Sequence, residues 1–91
     1  MVFEWNPLKA DGNLRKHGIS FQEAATVFAD TLSTTYHDPD HSLTENRFIT
    51  IGIARSGLVL LVAHTDRGEN VRIISARKAT RNEKRCYEEG F

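Results

Sequence analysis

At 91 residues the chain has room for one hydrophobic core, since a domain of this size buries only about 60 to 65% of its unfolded surface. Its composition, 40% hydrophobic and 26% charged, is that of a folded soluble polypeptide, and its longest apolar run, Leu58 to Ala63, is far too short to span a bilayer. The formal net charge of zero argues against a protein that coats nucleic acid nonspecifically.

Val2 to Trp5 reads as a short edge strand. Asn6-Pro7 ends it and starts a helix, with Asn as cap and Pro in the first turn, that runs to about His17 and stops at Gly18. Ser20 and Glu23 have the spacing of a capping box for a second helix, Phe21 to Asp30. Phe21, Ala24, Ala25 and Phe28 give that helix one apolar face. Ser33 to His37 reads as an outer strand, followed by a loop rich in turn residues, His37-Asp38-Pro39-Asp40-His41.

Arg47 to Ala54 alternates, with Ile49, Ile51 and Ile53 on one side and Phe48, Thr50 and Gly52 on the other. Leu58 to Thr65 is apolar on both faces, as a central strand should be. Asp66 to Glu69 forms the next hairpin loop, and Val71 to Arg77 returns as a third meander strand. Thr80 and Glu83 form another capping box, opening a last helix from about Arg81 to Glu89. The expected fold is a single α+β domain over residues 1–91, with two N-terminal helices, an antiparallel β-meander and a C-terminal helix.

Several functions are set aside by missing signatures. There is no glycine-rich phosphate loop, dinucleotide fingerprint, nucleophile elbow or paired-cysteine motif. Cys86 stands alone, so no internal disulfide or zinc cysteine pair is available, which fits a reducing cytoplasm. The N-terminus lacks the basic-then-apolar pattern of an export signal. His37 to His41 matches no established metal-ligand spacing, and Pro39 stiffens a loop in its own right, so no metal or other cofactor is expected. Trp5, Phe3 and Phe21 fit a core better than a base-stacking platform, because no basic residue is interleaved with them.

What remains is a set of Arg, His and Glu residues. Residues 1–45 carry a balance of −4 and residues 46–91 a balance of +4, with the excess arginine concentrated between Arg67 and Arg85 and including Arg72. This asymmetry fits either a polyanion partner on one face or a solvated charged helix. Ser75 to Glu83 carries Arg77, Lys78 and Arg81 off a strand end and onto the first turn of a helix. That place suits an anion, and an ordinary capped helix with surface arginines is the alternative.

Period-two alternation puts Arg77 on a face with Val71, Ile73 and Ser75, and Arg72 on the opposite face with Ile74 and Ala76. His64 shares a face with Leu58, Leu60 and Val62, where a packed, satisfied histidine and a catalyst are both open readings. Cleavage of RNA by its own 2′-hydroxyl needs a proton acceptor, a proton donor and cations at the phosphate. Arginine suits the last role, and His64, His17, Lys16 or Glu45 could transfer protons.

In order and spacing, Phe3-Glu4-Trp5-Asn6-Pro7, Asn13-Leu14-Arg15-Lys16-His17-Gly18, Ser20-Phe21-Gln22-Glu23-Ala24, Arg47-Phe48-Ile49-Thr50-Ile51-Gly52 and Arg72 through Glu83 resemble the BrnT-type ribonuclease toxins. The resemblance implies a RelE-like arrangement and metal-independent endoribonuclease cleavage of mRNA that arrests translation. It also implies a BrnA-like ribbon-helix-helix antitoxin that neutralises the toxin in a hetero-oligomer and reaches operator DNA on its behalf. On matching positions it makes Arg77 and Arg81 phosphate binders, with Arg47 and Glu83 in the same constellation. Lys16 and His17 match a Lys-His-Gly element that serves substrate binding or structure. The competing function is a catalytically inactive module that only binds antitoxin or RNA.

Overall fold

Capping chemistry sets the helix ends in the computed structural model, which describes residues 1–40 and 46–90. Strand β1 (Val2–Glu4) leads into α1 (Pro7–His17), where the Asn6 side chain accepts from the Leu8 and Lys9 N–H groups at 2.8 and 3.4 Å. Gly18 ends α1 at φ 72° and donates its N–H to Leu14 O at 2.8 Å. The expected capping box at Ser20 is half formed. Ser20 Oγ accepts the Glu23 N–H at 3.0 Å, while the Glu23 carboxylate turns away to accept the Ser56 hydroxyl.

Helix α2 covers only Phe21–Ala25 and then tightens into a 3-10 turn, Thr26–Ala29, instead of continuing as α-helix to Asp30. Thr26 accounts for the change. Its hydroxyl donates to Glu23 O at 2.6 Å and accepts the Arg55 N–H at 2.8 Å, so a side chain competes with the regular helical ladder. At the other end of the chain, α3 (Arg81–Glu89) has a complete capping box, with Thr80 and Glu83 exchanging bonds of 3.2 and 2.8 Å.

Strands β2 (Thr34–His37), β3 (Arg47–Ile53), β4 (Val59–Arg67) and β5 (Asn70–Lys78) each run antiparallel to the next. The expectation of a simple antiparallel meander needs correcting at one edge. There β1 pairs with β5 in parallel, giving a mixed five-stranded sheet in the order β1-β5-β4-β3-β2. The N-terminal strand thereby covers an edge of β5 that the hairpins leave open. The last hairpin is also tighter than expected. Arg67 pairs with Asn70, leaving a two-residue turn in which Gly68 supplies φ 61°.

A β-bulge overturns the predicted facing of β5. Ala63 pairs with Ser75 and His64 with Ile73, so Ile74 is an extra residue and the alternation slips by one. Ile73 and Ala76 both enter the core, while Arg72 and Arg77, expected on opposite faces, share the other side of the sheet.

The larger core lies between the sheet and α1–α2. Phe21, Ile19, Val27, Leu60, Val62 and Ile73 form its centre, and Phe3 and Trp5 pack against it as predicted. Gly52 lets the 3-10 turn close on β3, since a Cβ there would stand 2.9 Å from Val27 Cγ1 and from Ser33 Cβ. On the opposite face a smaller cluster, Ile51, Val59 and Leu61, is covered by Tyr87 and Ala79.

Asn13, 7% exposed, fastens α1 to the sheet. Its Nδ2 donates to Ile19 O at 3.0 Å and Ala76 O at 2.8 Å, and its Oδ1 accepts the Ala76 N–H at 3.0 Å. Replacing Asn13 with Ala removes partners from a buried N–H and two buried carbonyls, and should cost about 2 to 3 kcal/mol, read as a lower urea midpoint with unchanged slope.

Candidate active site

On the sheet face away from α2, cross-strand pairing sets side chains in rows. One row runs Glu4, Arg72, Thr65, Arg47; the next Ser75, Ala63, Ile49, Tyr36; the third Arg77, Leu61, Ile51, Thr34. Helix α3, through Tyr87, and Ala79 just ahead of it cover only the far part of this face. Beside it the small side chains of Ala63 and Ser75 leave a basin of about 160 Å³, floored also by Ile49 and Leu61. Its rim carries His17, Asp38, Arg47 and Arg77. His17 arrives at the end of α1 because Asn13, one helical turn earlier, is bonded to Ala76 beside Arg77.

Arg77 is held by Glu83. Its Nη1 and Nη2 donate to the two carboxylate oxygens at 2.8 and 2.9 Å, and Nη1 also reaches Lys78 O at 3.2 Å. The Arg77 hydrogen bonds pull the Glu83 carboxyl down to about 2, well below the usual carboxylate range, and the pairing raises the Arg77 guanidinium in turn. The end of the guanidinium fork is therefore taken. Its side edge, Nε–H with the second Nη2–H, has no partner among the described residues, and such an edge matches two phosphate oxygens. The N-terminus of α3, expected to attract a phosphate, already has an anion, because the Glu83 carboxylate accepts the Thr80 N–H.

The other sequence candidates are placed as follows. Arg81 is exposed on the first turn of α3 and does not line the basin. Lys16 is exposed next to His17 and also stays off the lining. Arg72 shares the basin's face but is paired with Glu4 at 2.9 Å. Arg67 lies at the exposed hairpin end of β4. Glu45 and His41 lie outside the described residues.

His64 is on the opposite face of the sheet from Arg77. It is 5% exposed, with its ring 4.9 Å from Phe28 and 5.8 Å from Phe48 and its Nε2 2.7 Å from Thr50 Oγ1. Burial lowers its pKa, with Asp66 pulling the other way, so the imidazole is neutral at physiological pH. The sequence offered no sign of Tyr36, and it put Ser75 with Arg77 but Asp38 only in a turn-rich loop. Tyr36 reaches this face through the β2–β3 register, which leaves no signal in the local pattern.

A family model described as "Ribonuclease toxin, BrnT, of type II toxin-antitoxin system" matches residues 5–83. Among solved structures, the chain is similar to the Brucella abortus ribonuclease toxin BrnT, at 20% identity and a TM-score of 0.69, over 89% of this chain and all of that one. That likeness shows a shared fold. No curated protein matches the sequence.

Glu83→Gln should destabilise the protein by about 1 kcal/mol at pH 7, a modest figure because solvent screens both partners of the ion pair. Glu83 titrates near 2 when folded and near 4.5 in its ordinary state, so its contribution is complete above about pH 4.5 and fades as the pH falls towards 2. Urea titrations across that range should show wild type and variant converging.

Proposed function

Because the chain belongs to the BrnT family of type II toxin–antitoxin ribonuclease toxins, we propose that it is a metal-independent endoribonuclease that cuts mRNA at the basin on β3, β4 and β5, beside the end of α1. The observation that carries this reading is Arg77: Glu83 fixes the end of its fork, and its side edge is left for a phosphate in a basin shared with Arg47 and His17.

The chemistry follows from those groups. A phosphodiester held bidentately by Arg77, with Arg47 nearby, has its growing negative charge matched by cations fixed before the reaction begins. His17 is the imidazole on the rim, able to accept the 2′-hydroxyl proton or to protonate the leaving 5′-oxygen. Glu83 acts as a positioning residue: while paired with Arg77 its carboxylate is too weak a base to take the proton. Arg81, Lys16, Arg67 and Arg72 supply attraction to the polyanion from outside the basin. His64 is a core residue in this reading.

The family resemblance supports the remaining parts. The arrangement is read as RelE-like, the setting as cytoplasmic, and the outcome of cleavage as translation arrest. The partner is a BrnA-like ribbon-helix-helix antitoxin that assembles with the toxin and carries operator binding. No helix among the described residues is long and apolar enough to cross a membrane.

The test is cleavage of RNA by purified protein in buffer containing EDTA. Arg77→Ala and His17→Ala should each lose about 100-fold in rate while remaining folded. Arg81→Ala should lose less, and His64→Gln should stay within about threefold, since the loss of one remote contact does not reach the transition state. Wild-type protein that yields no fragments either in EDTA or with added magnesium would sink the free-standing ribonuclease reading, leaving ribosome-dependent cleavage or an inactive antitoxin- or RNA-binding module.

A further inference from the structure

Tyr36 stands on β2 opposite Ile49, at the end of the row that continues through Ala63 to Ser75 along the basin floor. Across that row side-chain size falls from the Tyr36 ring through Ile49 to a methyl and a hydroxymethyl, with Tyr36 one position beyond the basin lining. Tyr36 is 40% exposed. The aromatic contacts among the described residues engage Phe3, Trp5, Phe21, Phe28 and Phe48 and leave Tyr36 out.

The electrostatics of the site reach this ring. Burial and the Glu83 carboxylate push the phenol's pKa up, with Arg77 opposing, so the hydroxyl keeps its proton and cannot act as the acceptor in 2′-hydroxyl attack. An exposed aromatic beside a phosphate-binding arginine, without a proton-transfer role, has the two properties of a single-strand recognition site: a flat face for a base and a neighbouring cation for its backbone. The strands bearing Tyr36 and Arg77 are three spacings apart, about 14 Å between backbones, and the Tyr36 hydroxyl is near enough to Glu83 and Arg77 for both charges to act on it.

We propose that Tyr36 is the platform on which a base of single-stranded RNA stacks while the adjoining phosphate lies on Arg77. This rests on the ribonuclease reading above and adds to it a binding residue on the opposite side of the basin. Stacking accepts any base, so Tyr36 fixes where the strand lies and leaves sequence preference to other contacts.

The experiment separates binding from cleavage. Fluorescence anisotropy in EDTA at low salt measures affinity for a labelled single-stranded deoxyoligonucleotide, which has phosphates and bases but no 2′-hydroxyl, and for an abasic strand of equal length. Tyr36→Leu should weaken binding of the base-bearing strand about tenfold. Tyr36→Phe should stay within about twofold, and the abasic strand should bind wild type and Tyr36→Leu equally. On cleavable RNA, Tyr36→Leu should raise KM more than it lowers kcat. Equal affinities of the Leu and Phe variants for the base-bearing strand overturn the proposal, as does an equal loss on the abasic strand. Arg77→Ala tells the two readings apart. If it weakens both strands while Tyr36→Leu weakens neither, only the stacking role fails; if it weakens neither strand, or wild type binds neither, the phosphate site itself fails.

Discussion

The side chain of Asn13 does the work of a missing strand. Strand β1 pairs with β5 only from Asn70 to Arg72, and beyond that point the backbone edge of β5 needs partners that no strand supplies. The Asn13 amide presents one N–H and its carbonyl to Ala76 as a peptide group would, and its second N–H holds Ile19 O. A shorter or purely aliphatic side chain would bury the Ala76 N–H without a partner, an expensive arrangement in a low-dielectric interior. The same amide fixes where α1 ends relative to β5. It therefore sets the position of His17 against Arg77, so the stability of the fold and the geometry of the basin rest on one residue.

The second determinant is the extra residue at Ile74. Without it, strict alternation would send Arg72 and Arg77 to opposite faces. With it, one face collects Arg47, Arg72 and Arg77 while the other keeps Ile73 and Ala76 for the core. Bulges commonly re-aim side chains near functional sites, and here the re-aimed residue is the one that Glu83 holds. The Thr80–Glu83 box joins the two effects. Glu83 caps α3 and clamps Arg77 with the same carboxylate, so the start of the helix and the orientation of the guanidinium are fixed together.

Much of this was legible in the sequence because it is local. Asn6-Pro7, Gly18 and Thr80 with Glu83 mark helix ends through contacts three or four residues apart, and the structure has α1 and α3 where those signals put them. The isoleucine alternation of β3 is likewise a short-range pattern. What escaped depends on partners distant in the chain. Glu23 left its capping role for Ser56, Thr26 tightened a helix through Arg55, and β1 chose β5 as its neighbour. The candidate site divides along the same line. Arg77 and Glu83 are six residues apart and were read together, whereas the separation of His64 from them follows from the sheet's two faces and from Phe28 folding over the imidazole.

The parallel pairing of β1 with β5 also has a temporal side. Val2 meets Asn70, so β1 must wait for β5, far later in the chain, before either edge is satisfied. Closing so long a loop is entropically slow, and contacts of this range form late in folding. Glu83, which completes the clamp on Arg77, lies later still in the chain. A nascent chain released before β5 therefore has neither a closed sheet nor a formed basin. The topology therefore makes the β1–β5 edge and the Arg77–Glu83 clamp late-formed parts of the fold.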